Sequence, residues 1–70
     1  MTHETRVAEE RETLNTRVEA LEAFIGTPTY HGLTHAHQFL LRKQLLVMRE
    51  YLDILDARLA MFKMPGVRDG

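Results

Sequence analysis

The sequence predicts an all-α fold, an antiparallel two-helix hairpin of coiled-coil type, and three observations predict it. First, Leu41, Leu45, Met48, Leu52, Leu55, Leu59 and Phe62 recur at strict 4-3-4-3 intervals, the seam of a helix packed lengthwise on another helix. Second, the first half has a seam of its own at the same spacing: Val7, Arg11, Leu14, Val18, Leu21 and Ile25. Third, Gly26, Pro28 and Gly32 break the chain between the two seams. All 70 residues form one domain at most.

Helix 1 is expected over about residues 3 to 25. Thr2 or Thr5 offers a hydroxyl to its free N–H groups, and Glu4 suits the positive end of its dipole. Gly26, a residue able to adopt the left-handed conformation, ends it, and Pro28 cannot donate a hydrogen bond to continue it. Residues 26 to 33 therefore read as a connecting loop. Thr34 is the expected cap of helix 2, which runs free of Gly and Pro from about 35 to 64 until Pro65 and Gly66 stop it, leaving 65 to 70 as a polar tail.

A second stripe lies beside the main seam of helix 2: Val47, Tyr51, Ile54, Arg58 and Met61, again at 4-3-4-3 spacing, flanked by Leu40 and Leu46. Two adjacent stripes make a face wider than one partner helix covers. Leaving these side chains wet forgoes several kcal/mol at about 25 cal/mol per Å², in a chain too short to build a large core. Disulfides cannot compensate, because the sequence contains no cysteine. The expectation is a homo-oligomeric helical bundle, with Val47, Tyr51, Ile54, Arg58 and Met61 at the interface between copies.

Charge narrows the function classes. Nine basic residues against ten acidic ones leave no basic footprint for duplex nucleic acid or an anionic membrane. With no run of 18 apolar residues and a polar N-terminus, the protein is expected to be soluble and untargeted. Helix 1 is acidic, with Glu4, Glu9, Glu10, Glu12, Glu19 and Glu22 against three arginines. Helix 2 is mildly basic, which suits antiparallel pairing.

Candidate binding residues are those that break the apolar pattern. Arg11 occupies a seam position and Arg58 sits within the second stripe. A guanidinium held among apolar groups needs an anion, either a carboxylate across an interface or the phosphate of a ligand, and its planar fork fits both. Tyr51, on the same face as Arg58, serves either as packing or as a platform for a nucleobase. Thr34 marks a helix start whose unpaired N–H groups suit an anion. His31, His35 and His37 are too poorly spaced on a helix for a zinc site and read as solvated, so no metal or cofactor is expected. Catalysis is not expected: there is no cysteine nucleophile, no glycine-rich phosphate loop, and a thin hairpin has no walls to exclude water.

The order of landmarks Arg6-Val7, Glu10, Leu14, Arg17, Leu21, Phe24-Ile25, then Leu33, Gln38, Leu40-Leu41, Gln44, Met48, Tyr51, Ile54-Leu55, Arg58 and Phe62 resembles a group of very small tailed-phage proteins related to a crAss-like phage protein. Their helical hairpin is similar to that of the phage anti-CBASS and Thoeris anti-defence sponges. The resemblance implies a phage protein of the infected bacterial cytoplasm that forms a homo-oligomer. It further implies that this oligomer sequesters host immune messengers, cyclic oligonucleotides or molecules of the cyclic ADP-ribose type, without cleaving them. The assignment of Arg11, Tyr51, Arg58 and Thr34 as ligand-binding comes from the stripe pattern, not from the resemblance. The alternative is a protein-binding or structural phage accessory module that uses the apolar face of helix 2.

Overall fold

The computed structural model describes residues 2 to 63, and among these the regular elements are all helices: α1, His3–Ile25, α2, Pro28–His31, and α3, His35–Phe62. At 1.5 Å per residue the 28 residues of α3 span about 42 Å. That length dominates a body of 51 × 18 × 14 Å. No described helix is long and apolar enough to cross a membrane.

α1 lies along α3 and runs the opposite way, since early α1 residues meet late α3 residues. His3 lies beside Arg58, Arg11 beside Asp56, and Glu22 beside Arg49. The faces in contact are the two sequence seams. Val7 and Val18 from α1 and Leu45 and Leu55 from α3 are buried, Leu55 completely. The other positions of both seams, Arg11 included, are half-buried between them.

Each helix begins as hydroxyl capping dictates. The side chains of Thr2, Thr27 and Thr34 accept from the backbone N–H of Thr5, Tyr30 and His37, which satisfies donors that helix geometry leaves orphaned. α3 ends at Phe62 with Lys63 as its cap. Met64 and the polar tail expected after it lie outside the described residues.

Two expectations for the connection need correction. Residues 26 to 33 are not simply a loop, because Pro28–His31 forms a turn of helix. Thr27 caps this turn and Pro28 pre-sets its first φ angle, a combination that favours helix as readily as coil. Gly26 does not adopt the left-handed conformation: with φ −82° and ψ 0° it is in a region open to any residue. The chain changes course here through Thr27, whose hydroxyl donates to the Phe24 carbonyl at 2.6 Å while it also caps α2.

Tyr30 anchors the connection and is 3% exposed. Its ring meets Phe24 edge-on at 6.1 Å and its hydroxyl donates to the Gln38 carbonyl at 3.2 Å. Gln38 in turn donates to the carbonyls of His31 and Leu33. The polar groups crowded into this segment therefore hold the turn together.

Candidate ligand cleft

At the end of the molecule away from this turn, the first two turns of α1 and the last part of α3 border a cleft of about 270 Å³. It is lined by His3, Arg6, Val7, Glu10 and Arg58. Its geometry follows from helical spacing. His3, Val7 and Glu10 recur at 4-3 intervals, so once Val7 is buried against α3 its neighbours along the helix must border the same junction. Arg58 reaches in from the flank of the α3 seam and is half-buried.

The electrostatics are uneven. Arg58 Nη2 lies 3.3 Å from His3 Nε2, and because a guanidinium has donors only, the imidazole nitrogen is the acceptor. His3 also meets Phe62 edge-on, with ring centroids 6.0 Å apart. Tyr51 donates a short hydrogen bond to the Glu10 carboxylate. That bond, with smaller contributions from burial and the Glu10 charge, pushes the phenol pKa above 10.0, against a smaller opposing pull from Arg58. Among the described residues neither Arg6 nor Arg58 forms an ion pair with a carboxylate.

Of the four residues singled out from sequence, the structure brings two together. Arg58 lines the cleft and Tyr51 is joined to it through Glu10. Arg11 is elsewhere engaged: its Nε donates to Asp56 Oδ1 at 2.8 Å, and Nη1 lies 3.4 Å from Glu12. The hydrogen bond and charge of Asp56 hold the Arg11 proton more tightly than usual. Thr34 caps α3 at the opposite end, about 36 Å from Arg58 along the helix axis at 1.5 Å per residue. Sequence reasoning missed His3, Arg6 and Glu10. Their 3-4 spacing around Val7 was the available signal.

On the interface positions, Val47, Tyr51, Ile54 and Met61 are all more than 40% exposed in the single chain, as are Leu40 and Leu46. Phe39, outside the 4-3-4-3 stripe, is 64% exposed. His31, His35 and His37 face solvent, and among the described residues no three His, Asp or Glu side chains converge as a metal site requires.

The chain is similar to a 7.5 kDa protein in the denB-rIIB intergenic region of Enterobacteria phage T4. The two are 30% identical over 63 residues, which covers 90% of this chain and 98% of the phage protein. No solved structure matches. The family model for Sequestin matches residues 1–61, the whole of α1 and α2 and nearly all of α3, and the chain belongs to the Sequestin family.

Proposed function

We propose that the protein is a phage anti-defence sponge. As a homo-oligomer it binds nucleotide second messengers of host immunity, cyclic oligonucleotides or molecules of the cyclic ADP-ribose type, and withholds them without cleaving them. The observation that carries this reading is the pairing of Arg6 and Arg58 in one cleft with no carboxylate bound to either among the described residues. Two guanidinium forks converging on a cleft suit the phosphates of such a ligand. Tyr51, exposed and bonded to Glu10 of the cleft, supplies a ring face for a base. The family name and the similarity to a phage protein support the same direction.

Withholding a messenger needs affinity and copy number only. The open cleft has no enclosure to keep water from a reacting phosphate, which favours binding over turnover. The exposed apolar residues of α3 supply the means of oligomerisation, since a continuous patch of this kind on a small soluble chain marks an interaction surface.

Thermal shift and isothermal titration against a panel of cyclic di- and trinucleotides and cyclic ADP-ribose isomers test the proposal. At ligand concentrations 100 times Kd the folded state gains about 2.7 kcal/mol, a clear rise in melting temperature. Arg58→Ala and Arg6→Ala are expected to abolish the shift while keeping native helicity. No binder in the panel would overturn the reading. The exposed α3 face also supports a second reading, a module that docks a host or phage protein. Recovery of a stoichiometric protein from bacterial lysate, lost in Ile54→Asp, would favour that reading.

A further inference from the structure

The α3 surface that faces away from α1 has an internal symmetry. Ala36, Leu40, Lys43, Val47, Glu50 and Ile54 continue to Ala57 and Met61 at unbroken 4-3 spacing, and every one is exposed. A heptad stripe on the side of a helix that its own partner does not touch is a seam without a mate. Along it, charge is ordered: Arg42 and Lys43 come first, Leu46 and Val47 follow, then Glu50 and Asp53. None of these four charged side chains forms an ion pair within the chain among the described residues.

We infer that α3 pairs with α3 of a second copy in antiparallel order, about a two-fold axis passing between Leu46 and Val47. Lys43 stands as far before that point as Glu50 stands after it, so each lysine meets the glutamate of the other copy and the dimer has two such pairs. Arg42 and Asp53 lie on a common side but two residues out of that register, so they extend the basic end and the acidic end of the surface without forming a facing pair. The same operation sets Phe39 on Ile54 and Ala36 on Ala57, matching a large side chain to a large one and a small to a small. A parallel arrangement would place Lys43 on Lys43 and Glu50 on Glu50, so the charge order selects the antiparallel one.

This deepens the homo-oligomer in the proposed function by giving it a register: Arg58 lies as far after the axis as His35 lies before it, so the start of the second copy's α3 is level with the cleft.

Single-sign variants test the register by sedimentation equilibrium. R42E/K43E makes these four positions all acidic and E50K/D53K makes them all basic. Each is expected to weaken self-association by roughly 100-fold or more, the scale of like-charge juxtaposition, and mixing the two is expected to restore a one-to-one heterodimer. All four positions are exposed, so helicity should be retained. Should a variant fail to fold, Val47→Cys decides: oxidation should link it into a dimer through the axis, whereas Glu9→Cys on the far side of α1 should stay single.

A wild-type chain that remains monomeric, charge variants that associate as the wild type does, or a mixture that does not pair would each overturn the inference. Messenger binding by a monomer would sink the register together with the homo-oligomer and leave standing the messenger binding of the proposed function. A dimer of this register that binds nothing in the panel would do the reverse.

Discussion

Leu55→Ala probes the packing that everything else rests on. Leu55 is the one side chain with no exposed surface among the described residues, and it sits in a core of only five buried apolar side chains. Full burial of a leucine is worth about 1.5 to 3 kcal/mol, and the cavity left by truncation raises the cost to about 2.7 to 5 kcal/mol. Two packed helices cannot collapse far into that void without separating the seams, which places the expected loss toward the upper part of the range. For a domain of this size each kcal/mol moves the melting temperature by about 4 to 8 °C, so a loss of about 4 to 5 kcal/mol gives a fall of roughly 16 to 40 °C in circular dichroism melts.

The control is the adjacent Ile54→Ala, whose side chain is 55% exposed on the opposite face. It should cost less, and the part that comes from self-association should shrink on dilution. Equal losses at high dilution would refute the division of α3 into an inner seam and an outer stripe. So would a Leu55→Ala protein that melts like the wild type.

Further outcomes follow from individual contacts. Gly26→Ala should leave the fold intact and raise its melting temperature, because φ is −82° and a Cβ there would meet only the Ala23 carbonyl at an ordinary 3.5 Å; a marked fall would show that glycine is required. Arg11→Met should retain helicity and leave messenger binding unchanged, since Arg11 lies outside the cleft and serves Asp56; lost binding would restore it to the site. The Tyr51 phenol is held above its ordinary pKa of 10.0 chiefly by its hydrogen bond to Glu10, so the stability this bond gives is complete below pH 10 and is lost as pH rises through the raised value. The ultraviolet difference between wild type and Tyr51→Phe should accordingly titrate above 10, and titration at or below 10 would mean that the bond does not form in solution.

How far the fold was legible depended on the range of the interactions. The seams were readable because Leu41 to Phe62 and Val7 to Ile25 repeat with the helix itself, and Thr2 and Thr34 announce helix starts through purely local chemistry. The turn at Pro28–His31 escaped because four residues are too few for a period, and the caps that define it look the same in a loop. Tyr30 escaped for a different reason: its burial is decided by Phe24 and Gln38, on two different long helices. Arg58 was visible as a cation within an apolar stripe. His3, Arg6 and Glu10 were not, since polar residues near a helix start become a site only once the register of α1 on α3 is fixed. Thr34 has the right local chemistry at the wrong end of a long helix.

Sequestration without cleavage is tested by a depletion and recovery experiment. The protein is mixed with a cyclic nucleotide from the panel, free ligand is separated by filtration, and the retained fraction is released by heat and resolved by chromatography. Free ligand is expected to fall in proportion to added protein, the released ligand to be chemically intact, and Arg58→Ala to retain none. Ligand that stays free, or that emerges hydrolysed, would contradict sequestration without cleavage.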